Sequence, residues 1–87
     1  MIDVTFIMFE NCDLCDYIKK ILYKLEGEYD LSIIEVDGET DFGKKLLKKY
    51  KAKEKPVIII DDNFFSQGKV TEKALVDKFI EIRSPHL

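Results

Sequence analysis

Within its first 37 residues the chain changes hydrophobic period twice. Val4-Thr5-Phe6-Ile7-Met8-Phe9 is a near-continuous apolar run with β-branched and aromatic residues, the pattern of a strand buried on both faces. Glu10-Asn11 breaks it. From Leu14 the apolar positions fall at Leu14, Ile18, Ile21, Leu22 and Leu25, a stripe at helical spacing. Gly27 is the expected end of that helix. Leu31 to Asp37 then returns to strand composition. Two strands joined through a helix imply a parallel pair with a right-handed crossover, so the chain reads as α/β.

The remainder fits the same sheet. Gly38 to Asp41 is a turn able to cap a second helix, whose buried side is read as Phe42, Leu46, Leu47 and Tyr50. A loop over Ala52 to Lys55 leads to Pro56, which opens the strand Val57-Ile58-Ile59-Ile60; proline is tolerated at a strand's first residue. Asp61-Asp62-Asn63 is turn chemistry, so Phe64-Phe65-Ser66 returns as a short antiparallel strand. Thr71 is the expected N-cap of a third helix buried along Leu75, Val76, Phe79 and Ile80, and Arg83 to Leu87 reads as a frayed tail. The order is β-α-β-α-β-β-α: one four-stranded mixed sheet with helices on both faces, and a single domain over residues 1–87.

Composition narrows the function classes. A net charge of −3 and a pI near 5.1 give no drive toward nucleic acid or an anionic membrane surface. No segment approaches the roughly 20 apolar residues of a membrane span. Val4 to Phe9 is too short for the apolar core of a signal peptide, so a cytoplasmic protein is expected. Two cysteines are too few for a secreted disulfide scaffold.

Those two, Cys12 and Cys15, stand at the start of the first helix, on one face. Thiol–disulfide exchange needs a thiolate that attacks a disulfide sulfur and a second thiol that resolves the mixed disulfide. Cys12, at the helix amino terminus, has the positive end of the dipole and free N–H groups to stabilise an anion. Cys15, one turn inside, is expected to be the more buried, resolving partner. Glu10, Asp13 and Asp16 oppose ionisation, so the Cys12 thiol is expected to titrate below a free thiol but above one without acidic neighbours. His86, the one histidine, lies in the tail and is read as a bystander.

Two other readings stand beside this. The cysteines could be small core residues at helical spacing, since buried free cysteine is common. A closed zinc site needs four ligands, and the sequence offers two sulfurs with no adjacent histidine, so no metal set is expected. The lysines at 44, 45, 48, 49, 51, 53 and 55 form a basic run whose default reading is a solvated face, with protein docking as its alternative use.

Cys12-Asp13-Leu14-Cys15-Asp16 after the first strand, Lys55-Pro56-Val57 before the third, and Phe65 to Glu72 before the last helix resemble the small glutaredoxin-like proteins of the thioredoxin superfamily. The resemblance covers nearly the whole chain and implies the minimal thioredoxin fold. It implies a dithiol–disulfide oxidoreductase with Cys12 and Cys15 as its catalytic pair and Pro56 as a cis proline facing them. The backbone of Lys55 before that proline would pair with an extended substrate, and Phe9 and Leu14 would give apolar contact. The implied partners are protein disulfides and a thiol or reductase electron donor; no tightly bound cofactor, nucleic acid or membrane is implied, and a monomer is expected. Glutathione is allowed as a co-substrate, but Gln67-Gly68-Lys69 stands where such proteins carry a Gly-Gly pair and Glu72 follows, so its use is expected to be weak. The alternative is a thioredoxin-fold binding module with a structural or metal-linked dithiol.

Overall fold

The computed structural model describes residues 1–83; His86 and the rest of the tail beyond Arg83 lie outside them. The elements are β1 (Ile2–Met8), α1 (Asp13–Tyr29), β2 (Leu31–Asp37), α2 (Asp41–Lys49), β3 (Val57–Ile60), β4 (Asn63–Gln67) and α3 (Glu72–Arg83). The sheet order is β2-β1-β3-β4. β1 and β2 run parallel from Ile2 opposite Leu31 to Met8 opposite Asp37. β3 returns antiparallel to β1, with Val57 opposite Ile7, and β4 is antiparallel to β3. This is the minimal thioredoxin fold.

Alternation along β1 sorts its side chains between two faces. Ile2, Val4 and Phe6 join Ile58 and Ile60 of β3 under α1 and α3, where Ile18, Leu22, Leu25, Leu75 and Phe79 are buried. Ile7 joins Val36, Val57 and Ile59 under α2. The first face holds nearly all the large side chains, each contributing about 1.5–3 kcal/mol on burial. Tyr29 at the end of α1 stacks on Phe79 of α3 with ring centroids 5.7 Å apart. At the surface, the Tyr23 hydroxyl donates to Glu35 at 2.7 Å and Lys19 pairs with the same carboxylate at 2.9 Å, tying α1 to β2. The Tyr23 hydrogen bond, then Lys19, holds the Glu35 carboxyl below its ordinary range, and the Tyr23 phenol is pushed up in return.

Several sequence expectations are corrected. The first helix does not end at Gly27 but runs through Tyr29, because Asp30 (φ 53°) takes the left-handed cap and donates its N–H to Glu26. Asp30 also accepts from the Ile2 N–H at 3.1 Å, so the helix end is fixed where β1 begins. Gly27 therefore sits inside a helix with nothing within 4 Å of where a Cβ would be. Gly27→Ala is expected to stabilise the fold by about 0.5–1 kcal/mol, since glycine in a helix interior costs that much. Thermal unfolding should show a rise of a few degrees in Tm.

The buried side of α2 is also narrower than its pattern suggests. Phe42 is 60% exposed. Gly43 is the buried residue instead, its backbone pressed against the Asp37 carbonyl and the Gly38 Cα. In α3, Leu75 and Phe79 face the core while Ile80 is 48% exposed. Arg83 is no tail residue: it ends α3 and donates to the Glu28 carbonyl at 3.0 Å. The caps follow the sequence, with Thr40 accepting from Gly43 N–H at 3.0 Å and Thr71 from Ala74 N–H at 3.1 Å. The β3–β4 hairpin turns through Asp61 (φ 48°) and Asp62 (φ 64°), the paired left-handed residues of a type I′ turn. No helix of the described residues is long and apolar enough to cross a membrane.

Candidate active site

The site lies at the carboxyl end of β1. After Met8 the chain passes Phe9 and Glu10 to Asn11, whose left-handed backbone (φ 53°) reverses it. Asparagine tolerates that conformation better than most residues because its short polar side chain can hydrogen-bond the local backbone. Cys12 follows in extended conformation (φ −122°, ψ 99°) and is the N-cap of α1. Its Sγ accepts the Cys15 N–H at 3.1 Å, and its carbonyl accepts from Asp16 at 3.2 Å. The first sulfur thus occupies the place of a capping oxygen, on the free donors of the helix amino end.

Cys12 and Cys15 are joined as a disulfide, with Cα atoms 5.2 Å apart. Cys12 is 9% exposed and Cys15 1%. Both belong to the buried cluster under α1 and α3, Cys12 at its edge at the helix start and Cys15 more completely inside α1. Leu14 is half-buried against that same core, and the acidic Glu10, Asp13 and Asp16 are all exposed around the turn. Among the described residues no group of three or more His, Cys, Asp or Glu side chains is gathered to hold a metal ion. A metal on these sulfurs would draw its other ligands from elsewhere.

A second segment reaches the same end of the sheet. The Lys55–Pro56 peptide bond is cis, and Pro56 is fully buried. Since Val57 lies opposite Ile7, Pro56 falls beside Met8, at the end of β1 that leads into the dithiol turn. The Lys55 ammonium stands 5.2 Å from the centroid of the Phe9 ring, over its face, a cation–π arrangement. Phe9 also packs against Gly38, where a Cβ would overlap its ring. Phe9, Lys53, Glu54 and Lys55 line a groove of about 270 Å³ with Leu47 and Ala52. Phe9 and Lys55, 46 positions apart, are thus brought together beside the dithiol turn.

Gln67 holds this segment in place. Its Oε1 accepts the backbone N–H groups of Lys53 at 2.7 Å and Glu54 at 3.0 Å, and the next residue, Gly68, donates to the Pro56 carbonyl at 2.8 Å. Gly68 is left-handed (φ 71°), and a Cβ there would lie 3.4 Å from Glu54. Sequence reasoning singled out Gln67 only for standing where a glycine was expected. The one signal for its loop-pinning role is its position between strand β4 and a glycine.

Comparisons with known proteins agree with this geometry. Residues 3–80 match the family described as Glutaredoxin-like domain (DUF836). Among solved structures, a thioredoxin variant from Halobacterium salinarum superposes with a TM-score of 0.79 at 17% identity, covering 99% of this chain and 78% of that one. A mitochondrial thioredoxin from Saccharomyces cerevisiae in its oxidised form gives 0.71 at 18% identity over 92% of this chain and 77% of its own. A thioredoxin from Chlamydomonas reinhardtii gives 0.72 at 18% identity over 98% and 82%. No curated protein matches the sequence.

Proposed function

We propose, for a chain that belongs to the glutaredoxin-like domain family, that it is a dithiol–disulfide oxidoreductase in which Cys12 attacks and Cys15 resolves. The observation that carries this reading is the asymmetric pair: a sulfur that caps the amino end of a helix, disulfide-bonded to one buried more completely a turn further in. A helix amino terminus favours the anion at the first position and not at the second.

In the reducing direction the Cys12 thiolate attacks one sulfur of a substrate disulfide. The substrate S–S bond breaks, and the departing sulfur leaves with the electron pair and takes up a proton. Cys15 then loses its proton and attacks Cys12 Sγ, which frees the second substrate sulfur to be protonated in turn. The substrate gains two electrons and two protons, and the protein is left with the Cys12–Cys15 disulfide. A thiol or reductase donor closes the cycle. The backbone of Lys55, fixed before Pro56 by the Gln67 contacts, is suited to receive an extended substrate chain, with Phe9 and Leu14 as apolar neighbours. Glutathione is the weaker donor on this reading, since Lys69 and Glu72 stand where a small, carboxylate-tolerant cradle would be needed.

The test is a redox titration. Wild-type protein equilibrated in dithiol–disulfide buffers and then alkylated should pass through one reversible two-electron transition between a form with two alkyl groups and a form with none. A folded protein that never forms the internal disulfide would overturn the proposal and favour the binding-module alternative.

A further inference from the structure

The sheet is covered unequally. One face carries α1 and α3, 17 and 12 residues long. The other carries α2 alone, nine residues or about 13 Å at 1.5 Å per residue. Strands β1 and β2, of seven residues each, span about 23 Å. α2 covers the row Val36–Ile7–Val57. The next row along the same face runs across all four strands by register: Ile34 opposite Thr5, Thr5 opposite Ile59, Ile59 opposite Phe64.

The outer members of that row are left open, Ile34 57% and Phe64 42% exposed. Phe42, itself 60% exposed, lines one groove with Ile34, and Tyr50 lies beside Phe64 with ring centroids 6.4 Å apart. Ile34, Phe42 and Tyr50 line a groove of about 170 Å³ together with Thr5, Val36 and Ile59. An apolar patch on a small, highly charged domain marks an interaction surface.

Charge says what kind of partner. Lys49 lines the groove and places its ammonium 5.2 Å from the Tyr50 ring centroid, and Lys45 follows Phe42 by three positions on α2. Residues 40–55 hold seven lysines against Asp41 and Glu54, in a chain of net charge −3. Among the described residues none of those seven is in an ion pair, whereas Lys19, Lys24, Lys73 and Lys78 all are. A two-fold dimer through this face would bring two copies of the same lysine-bearing patch together, like charge near like charge. The aliphatic lining, the acidic Asp62 at its edge and the overall negative charge disfavour a nucleic acid.

We infer that the groove lined by Ile34, Phe42 and Tyr50, with Phe64 packed on Tyr50 at its edge, docks an amphipathic segment of a different protein, with an apolar face and acidic flanks. Apolar insertion would supply affinity, and the lysine rim orientation and association rate. The surface is separate from the dithiol turn, so the inference does not depend on the redox chemistry.

The probe is a synthetic helical peptide with leucines at i, i+3, i+4 and i+7 and glutamates along both flanks, compared with a twin carrying lysines in place of the glutamates. In NMR titrations the acidic peptide should shift Ile34, Phe42, Tyr50 and Phe64 saturably, and bind more weakly as salt rises to about 0.5 M. The lysine twin should bind at least about tenfold more weakly, as should the acidic peptide to Phe42→Ser and to Lys45→Glu/Lys49→Glu. Both variants alter exposed side chains, so they should stay folded and keep the internal disulfide transition. Equal binding of the two peptides, or shifts confined to the dithiol turn, would overturn the inference. So would tighter binding of a single-stranded oligothymidine at this face, or sedimentation showing self-association that Phe42→Ser abolishes.

Discussion

Replacement of Cys12 by serine is expected to lower thiol–disulfide exchange on the order of 10³-fold or more, the scale of losing an attacking nucleophile that its partner cannot replace. Cys15 is not expected to substitute, because it is 1% exposed against 9% for Cys12, and its sulfur does not hold the N-cap position that Cys12 occupies. The reciprocal variant should behave differently. Cys15→Ser keeps the first attack and loses the second, so incubation with a disulfide substrate should leave a mixed disulfide on Cys12, visible as an added mass that a reducing agent removes. Measured side by side, the two variants separate attack from resolution. Exchange that persists in Cys12→Ser, or a mixed disulfide that forms on Cys15, would reverse the assignment.

Gly43→Ala is expected to destabilise the fold by about 2–3 kcal/mol, although glycine to alanine inside a helix is ordinarily favourable by about 1 kcal/mol. The sign changes because the added Cβ meets the Asp37 carbonyl and the Gly38 Cα, which are backbone atoms with no rotamer to move aside. Relief would require α2 to lift from β2. An 87-residue chain has a net stability of roughly 4–13 kcal/mol, so the loss is a sizeable share of it. Thermal unfolding should show a fall in Tm of about 10 °C or more, against the small rise for Gly27→Ala. Two equal changes on two helices of one protein should thus move stability in opposite directions. An unchanged or higher Tm for Gly43→Ala would mean that α2 does not rest on the sheet as closely as described.

What could be read from the sequence was what local pattern controls. The period change around Phe9 to Leu14 located the βαβ unit and placed Cys12 where β1 gives way to α1; the Thr40 and Thr71 caps and the Asp61-Asp62 turn are equally local. The misreadings share one cause. Gly27 has the chemistry of a helix end, but Asp30 took the left-handed position because the chain there is tied to Ile2. Phe42 lies on the apolar stripe of α2 yet is 60% exposed, while the close approach of α2 to the Asp37 and Gly38 backbone is made at Gly43, a contact that hydropathy does not register. At the site, the Lys55 ammonium over Phe9 and the Gln67 hydrogen bonds to Lys53 and Glu54 join residues far apart in sequence. Such pairs leave no periodic trace in one sequence.

The cross-link at the site joins cysteines only three positions apart. A ring that small removes little freedom from the unfolded chain, about 2 kcal/mol in the loop-entropy account, against nearly 5 for a loop of about 100 residues. Most of the fold's stability therefore comes from the two cores and does not wait on oxidation. On the proposed function the protein would spend part of every turnover with this bond broken. With the cross-link confined to the first turn of one helix, opening it would leave the sheet and the proline loop assembled.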